Sequence, residues 1–155
     1  MSDGARVAVV TGASRGAGRG IASALAARGW TVYGTGRSMA EAPPGGVAVP
    51  VDHSDDAAVA ALFDRVRSEA GRLDLLVNNA AVVSDQLVSP KPFWEKPVGL
   101  ADVLDVGLRS SYVASWYAAP KLKRIGTRSS AVSPMFGCLM FCAAAPKRKP
   151  GSNAH

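Results

Sequence analysis

Apolar runs and helical patterns alternate along the first half of the chain. Continuous apolar runs are typical of parallel strands that are buried on both faces, whereas apolar residues three or four positions apart are typical of helices. The runs predict four strands, at residues 6–10, 30–35, 47–51 and 73–77. Each predicted strand is followed by a glycine or a polar residue, as expected where a strand ends.

Two helices fit between these strands, and a third follows them. The first starts after Gly18, the second starts after a cap at Ser54 or Asp55, and the third covers about residues 100–119. Single helices between strands imply right-handed crossovers and therefore an α/β fold, a Rossmann-type doubly wound parallel sheet. The buried face of the third helix is predicted to consist of Leu100, Val103, Leu104, Leu108, Tyr112, Val113, Trp116 and Tyr117.

The periodicity is lost beyond Pro120. Residues 1–120 are predicted to form one domain, and residues 121–155 a basic tail that is irregular or disordered. Because no convincing strand follows the third helix, the sheet is predicted to be incomplete on its C-terminal side, with residues 73–77 at its edge. An apolar edge strand is a template for association, and the helix face that contains Tyr112, Trp116 and Tyr117 would also lack a covering layer. We therefore expect self-association or a homo-oligomer.

The net charge of +6 belongs to this tail. Residues 1–120 contain 11 basic and 12 acidic side chains, whereas residues 121–155 contain 7 basic and no acidic ones. The tail's basic residues have no interleaved aromatic residues, so nucleic-acid binding is not expected.

No apolar run is long enough to span a membrane, and no signal pattern starts the chain, so a cytoplasmic protein is expected. The two cysteines, Cys138 and Cys142, lack the spacing of metal ligands, and we expect no metal.

A glycine-rich turn separates the first predicted strand from the first helix. It contains Gly12, Gly16 and Gly18. Glycines let backbone N–H groups approach a pyrophosphate, and the positive N-terminal end of the helix favours the anion. The turn therefore predicts a dinucleotide-binding site. The alternative is a tight turn in some other α/β protein.

Two arginines indicate which dinucleotide is bound. A carboxylate after the second strand would bind the ribose diol of NAD, but this position is occupied by Arg37. Arg15 lies within the glycine turn, and two guanidinium groups can bind a 2′-phosphate through charge-assisted hydrogen bonds. We therefore expect NADP(H) to be preferred over NAD(H). The alternative is that one or both are ordinary surface arginines.

Three motifs in this order resemble the short-chain dehydrogenase/reductase family. They are Thr11-Gly12-x-x-x-Gly16-x-Gly18, Asp52 after the third strand, and Asn78-Asn79-Ala80 after the fourth. The resemblance covers about residues 5–120. It implies a Rossmann sheet that binds NAD(H) or NADP(H) and transfers hydride at a small carbonyl or alcohol substrate.

The resemblance also implies roles for individual residues. Gly18 would allow close helix packing, and Asp52 would bind the adenine amino group. Asn78, Asn79 and Ala80 would hold the sheet together and contact the adenosine ribose. The phosphates would be lined by Gly12, Ser14, Arg15, Gly16 and Ala17.

The family's catalytic residues are not found in register. Its Ser lies at the end of a fifth strand and its Tyr-x-x-x-Lys on the next helix, where the Lys lowers the pKa of the Tyr that acts as acid or base. An Asn of the preceding helix is replaced in the matching region, 104–109. We interpret the chain as the cofactor-binding half of such an enzyme, with its C-terminal part lost or replaced, for example by a frameshift near residue 121.

Two alternatives stay open. One is a compact, active reductase that uses unusual residues. The other is a catalytically dead nucleotide-binding or interaction module. Turnover with NADPH and varied carbonyls would distinguish them.

One match to Tyr-x-x-x-Lys occurs at Tyr117-Ala-Ala-Pro-Lys121. Tyr117 follows Asn79 by one helix only, without the intervening strand and Ser, and it continues the apolar face of that helix. Pro120 bends or ends the helix between the two residues. We therefore expect Tyr117 to be a packing residue, with a catalytic Tyr117 and Lys121 as the alternative.

Overall fold

The computed structural model describes residues 5–121 and the backbone of residues 129–132 and 142–143. Its sheet has the order β3-β2-β1-β4-β5-β6, in which β1 to β5 are parallel and β6 is antiparallel to β5. The strands are β1 (Val7–Val10), β2 (Thr31–Gly36), β3 (Val47–Pro50), β4 (Leu75–Val77), β5 (Ser129–Val132) and β6 (Cys142–Ala143). The helices are α1 (Gly16–Ala26), α2 (Asp56–Ala70) and α3 (Ser110–Ala118).

β1 is the centre of the fold, because its two faces belong to two separate apolar clusters. Val7 and Val9 pack in the cluster that contains the buried apolar residues of α2 and α3. Ala8 and Val10 pack in the cluster that contains Ala22 of α1. Successive side chains of a strand point to opposite faces, so helices cover both sides of the sheet. The predicted doubly wound parallel sheet is confirmed.

α2 has the boundaries that its sequence predicts. The Asp55 side chain accepts hydrogen bonds from the backbone N–H groups of Ala57 (2.8 Å) and Ala58 (3.2 Å), so Asp55 is the cap. Gly71, with φ +66°, ends the helix in the left-handed conformation that favours glycine. The predicted apolar stripe is buried and consists of Val59, Leu62, Phe63 and Val66.

The third predicted helix is present, but it is not a single α-helix. A 3₁₀ turn (Val98–Asp102) and a π turn (Asp105–Arg109) precede α3, and another 3₁₀ turn (Ala119–Lys121) comes after it. A π turn inserts a residue into the helical repeat and so rotates the face presented by the next helical residues. A buried face that is extrapolated from the sequence at a constant helical period is therefore wrong beyond the π turn.

The predicted buried face of this helix is largely wrong. The buried residues of α3 are the small ones, Ser110, Ala114 and Ala118, which let its backbone lie close to α2. Val113 and Tyr117 are half-buried against the same core. Four large apolar residues of the predicted face are 52–63% exposed, namely Leu104, Leu108, Tyr112 and Trp116.

The prediction that residues 73–77 form a sheet edge is also wrong. β5 pairs with β4 in parallel, with Leu75 opposite Ser130 and Val77 opposite Val132. β5 and β6 therefore form strands within the predicted irregular tail. The rest of that tail lies outside the described residues, and the domain boundary at residue 120 stays a prediction.

A buried ion pair fixes the start of the central strands. The carboxylate of Asp74 accepts hydrogen bonds from the backbone N–H of Val7 (2.8 Å) and from the Arg72 guanidinium (2.7 and 2.8 Å). The Asp74 side chain is 0% exposed. Removing one partner of a buried pair leaves the other desolvated and uncompensated.

We expect Asp74→Ala to lower the free energy of unfolding by about 3 kcal/mol, the cost of breaking a buried pair. Urea titration at neutral pH measures this value. Asp64→Ala is the matched control, because the Asp64 side chain is 60% exposed in its pairs with Arg67 and Lys121. The control should change stability by no more than about 0.5 kcal/mol. Equal effects of the two variants would contradict the prediction.

Candidate cofactor-binding site

The turn between β1 and α1 forms a cradle that is closely packed at Gly12 and Gly18 and open at Gly16. Gly12 and Gly16 adopt left-handed conformations, with φ +66° and +57°. A Cβ atom on Gly12 would lie 2.8 Å from Cα of Ala80, and one on Gly18 would collide with the carbonyl oxygen of Gly12. A Cβ on Gly16 would meet no atom within 4 Å. Gly12 and Gly18 therefore serve packing, and Gly16 borders open space.

The chain after β4 holds this turn in place. The Asn79 side-chain amide donates to the carbonyl oxygens of Thr11 (3.1 Å) and Gly12 (3.0 Å). In return, the Thr11 hydroxyl accepts hydrogen bonds from the backbone N–H groups of Asn79 (2.9 Å) and Ala80 (3.0 Å). The two motifs that the sequence places far apart therefore form one bonded unit.

Asn78 connects the same point of the sheet to α3. Its side-chain amide donates to the Ser115 hydroxyl (3.0 Å) and to the carbonyl oxygen of Ser111 (3.4 Å). Its Oδ1 is buried and has no hydrogen-bond partner among the described residues. Ser115 was not assigned this contact from the sequence, since only the packing of α3 against β4 creates it.

Arg37 and Asp52 follow β2 and β3 at the same edge of the sheet as the glycine turn. A Cβ on Gly36 would lie 3.3 Å from the Ser14 hydroxyl, so Arg37 leaves β2 directly beside the turn. Asp52 accepts hydrogen bonds from the backbone N–H (2.9 Å) and the hydroxyl (2.7 Å) of Ser54. These bonds lower the pKa of Asp52, and the Arg37 charge lowers it further. Asp52 is therefore an anionic acceptor.

His53 is a buried residue at this edge that sequence reasoning missed. It is 5% exposed, and its Nε2 shares a 2.7 Å hydrogen bond with the hydroxyl of the buried Thr35. Its Nδ1 has no hydrogen-bond partner among the described residues. Burial lowers its pKa from 6.5 to about 4, although the neighbouring Asp52 charge opposes this shift. The neutral imidazole therefore links the ends of β2 and β3.

Lys121 lies at the other end of the sheet, whereas Tyr117 is half-buried against the core. Lys121 donates to the backbone carbonyl oxygen of Tyr117 (3.3 Å) and pairs with Asp64 (3.5 Å). It lines a surface cavity with Gly71 and Leu73, which precede β4, whereas the glycine turn adjoins the residues that follow β4. The structure therefore does not bring this Tyr-x-x-x-Lys match together with the predicted cofactor site.

Comparison with known proteins identifies the family. The model of the short chain dehydrogenase family matches residues 6–133. The chain belongs to this family. The match includes β5, the strand that sequence reasoning missed.

Two curated relatives show how much of a family member this chain covers. The chain is 46% identical over 128 residues to dehydrogenase/reductase SDR family member 1 of Homo sapiens, covering 74% of this chain and 41% of that protein. It is 40% identical over 90 residues to the 3-oxoacyl-(acyl-carrier-protein) reductase of Escherichia coli, covering 54% of this chain and 37% of that protein. The chain spans less than half the length of these relatives.

Solved structures of the family share the fold. Aldohexose dehydrogenase from Thermoplasma acidophilum is 30% identical with a TM-score of 0.72, over 84% of this chain and 49% of its own. A short chain dehydrogenase from Burkholderia cenocepacia, in complex with NADP, is 33% identical with a TM-score of 0.67, over 83% and 54%. The 3-ketoacyl-(acyl-carrier-protein) reductase from Brucella melitensis, complexed with NADH, is 29% identical with a TM-score of 0.67, over 77% and 51%.

Membrane spans and metal clusters are both absent from the part of the chain that the structure describes. Within it, no helix is both long enough and apolar enough to cross a membrane. The same residues contain no group of three or more His, Cys, Asp or Glu side chains arranged to hold a metal ion.

The buried His53 predicts how stability depends on pH. Its folded-state pKa lies below the unfolded value, so its contribution is complete above about pH 6.5 and is lost as the pH falls toward 4. Within that window the loss is about 1.4 kcal/mol per pH unit. His53→Gln removes the titrating imidazole and supplies an amide that can form a hydrogen bond with the Thr35 hydroxyl.

Urea titrations of both proteins between pH 7 and pH 4 measure the effect. The difference in stability between wild type and His53→Gln should shift in favour of the variant as the pH falls. Parallel curves over the whole range would show that His53 is not buried as a neutral group.

Proposed function

We propose that this chain is the cofactor-binding part of an oxidoreductase that prefers NADP(H) over NAD(H). The observation that carries the proposal is the open cradle at Gly16, held between β1 and α1 by the Asn79 side chain. Ligands of doubly wound sheets bind where the parallel strands end, and this cradle lies there.

The start of α1 fits a bound pyrophosphate. The first turn contains no acidic residue, and no side chain caps its N–H groups. These groups and the helix dipole therefore remain available to an anion. In the proposed complex Gly18 keeps the helix close to the turn. The residues proposed to line the phosphates are Gly12, Ser14, Arg15, Gly16 and Ala17.

The preference for NADP(H) is supported by the surroundings of Arg37. This exposed side chain follows Gly36, which contacts Ser14, and Arg15 is the residue after Ser14. The Arg15 and Arg37 side chains therefore start from neighbouring parts of the backbone, and their guanidinium groups would donate hydrogen bonds to one 2′-phosphate. The related structures contain NADP in one case and NADH in another, so family membership alone does not decide this preference.

The other residues proposed to hold the cofactor lie along the same edge. Asp52, as an anionic acceptor, would bind the adenine amino group. Asn78, Asn79 and Ala80 would contact the adenosine ribose while they hold the turn. These assignments follow the family resemblance, and the placement of all four residues at the ends of β3 and β4 supports them.

The bound nicotinamide would supply or accept a hydride at a small carbonyl or alcohol substrate. The family resemblance implies a Ser at the end of a fifth strand, and Ser133 directly follows β5 in the sequence. We propose Ser133, which lies outside the described residues, for that position. No Tyr follows Tyr117 in the sequence, so the chain supplies no Tyr-x-x-x-Lys after β5.

The second candidate function is a nucleotide-binding module without catalysis. The observation that favours it is the position of Lys121 at the opposite end of the sheet from the glycine turn. Calorimetric titration with NADPH beside an activity scan over varied carbonyls separates the two functions. The cytoplasmic location, the absence of nucleic-acid binding and self-association stay predictions.

Arg37→Asp should lower the ratio of NADPH affinity to NADH affinity at least tenfold, because it replaces a phosphate ligand by a repelling charge. Titrations of each cofactor at one fixed salt concentration measure this ratio. Arg67→Asp makes the same charge change on α2, away from the site, and should leave the ratio unchanged. A wild-type protein with equal affinity for both cofactors would contradict the preference.

Tyr117→Phe should leave cofactor affinity and any measurable reductase rate within about twofold, as expected for a ring that packs against the core. Removing a general acid would instead reduce the rate by about a hundredfold or more. The assay compares the variant with wild type at saturating NADPH. A hundredfold loss would make Tyr117 catalytic and the chain an active, shortened enzyme.

A further inference from the structure

We propose that Arg19 is a third cation for the 2′-phosphate and that Glu41 restrains it, so that these two residues adjust the selectivity between NADP(H) and NAD(H). This inference rests on the proposed function. It names two residues that neither the glycine motif nor the end of β2 contains.

A cavity beside the glycine turn brings these residues together. Its volume is about 290 Å³, and it lies between the first turns of α1 and the loop that follows β2. Its polar side chains are Ser14, Arg19, Ser23, Ser38 and Glu41. Ser14 belongs to the proposed phosphate cradle, and Ser38 directly follows Arg37. The cavity therefore adjoins the position proposed for the 2′-phosphate.

The loop that contains Glu41 is anchored on the sheet. A Cβ on Gly34 of β2 would lie 2.9 Å from the end of the Met39 side chain and 3.3 Å from the Pro43 ring. Met39 is buried in the cluster that contains Val32 and Ala13. These contacts on both sides of Glu41 place its carboxylate at the cavity.

Arg19 and Glu41 form a weak ion pair across this cavity. Their closest charged atoms, Nη2 and Oε2, are 3.8 Å apart, and their side chains are 65% and 84% exposed. Such exposed pairs contribute little to stability, so replacing Glu41 by another anion costs Arg19 little free energy. A phosphate dianion offers more charge and more acceptor oxygens than one carboxylate. It would therefore displace Glu41 from the guanidinium.

The position of Arg19 on α1 supports an anion as its partner. Arg15 precedes the first residue of the helix, Gly16, and Arg19 follows it by three positions. Cations are unfavourable at the positive N-terminal end of a helix, and the first turn has no acidic residue to offset them. Local conflicts of this kind are expected at functional sites, where a ligand resolves them.

Removing the charge of Arg19 and removing the charge of Glu41 should change the ratio of NADP(H) to NAD(H) affinity in opposite directions. Loss of the Arg19 charge removes a phosphate ligand and affects only the cofactor that has a 2′-phosphate. Loss of the Glu41 charge frees Arg19 and removes a repulsion of the same phosphate. NAD(H) binding should respond little to either change.

Calorimetric titration of the full chain with NADP⁺ and NAD⁺, at one fixed salt concentration, tests this without requiring turnover. Arg19→Gln should lower the ratio of NADP⁺ to NAD⁺ affinity about three- to tenfold, and Glu41→Gln should raise it about two- to fivefold. Adenosine 2′,5′-bisphosphate and ADP should show the same two shifts. Arg28→Gln is the matched control, since Arg28 follows α1 at its other end and bonds the carbonyl oxygen of Ala24.

The outcomes separate this inference from the proposed function. If Arg37→Asp changes the ratio while Arg19→Gln behaves like Arg28→Gln, the inference is overturned and the proposed function stands. A Glu41→Gln protein whose ratio is unchanged or lower also overturns the inference, even if Arg19→Gln does not fold. If the wild type binds neither cofactor, both proposals are overturned.

Discussion

The hydrogen bonds between Asn79 and the glycine turn determine how the rest of the site is arranged. Gly12 and Gly16 have no side chains, so these two positions depend on backbone hydrogen bonds to hold the turn. The Asn79 amide satisfies two of its carbonyl oxygens, and the Thr11 hydroxyl returns two bonds to the chain after β4. Since β4 is itself paired with β1, the turn is fixed relative to the sheet.

The glycines of this turn have two different roles, close packing and leaving space open. Gly12 and Gly18 allow the turn, the start of α1 and the chain after β4 to approach one another more closely than any side chain permits. Gly16 faces no neighbouring atom. A pyrophosphate needs both features, because backbone N–H groups must be held rigidly and yet remain accessible. The same division explains why three nearby glycines are not equivalent.

The sequence was sufficient for β1 to β4, α1 and α2 because their signals are local. Val7–Val10 is apolar throughout, and Asp55 and Gly71 are recognisable ends of α2. β5, with the sequence Ser-Ser-Ala-Val, has no such signal and is defined by its pairing with β4. The strand was therefore missed.

Other features depend on tertiary contacts in the same way. The buried face of α3 was mispredicted because small residues, rather than large ones, pack against α2. The bond between His53 and Thr35 joins β2 to the chain that follows β3, and these two strands pair only in the folded sheet. The glycine motif was found because its chemistry is encoded within one turn. The contacts that hold the motif come from Asn79, far away in the sequence, and needed the structure or a family resemblance.

The expectation of self-association now depends on the helix face alone. Its other ground was an exposed β4 edge, and the pairing of β5 with β4 removes that reason. The structure exposes Leu104, Leu108, Tyr112 and Trp116, of which Tyr112 and Trp116 lie about one turn apart on α3. Large apolar side chains grouped on one surface favour association more than the same residues scattered singly. Any self-association of this chain is therefore expected to involve α3 rather than an unpaired strand.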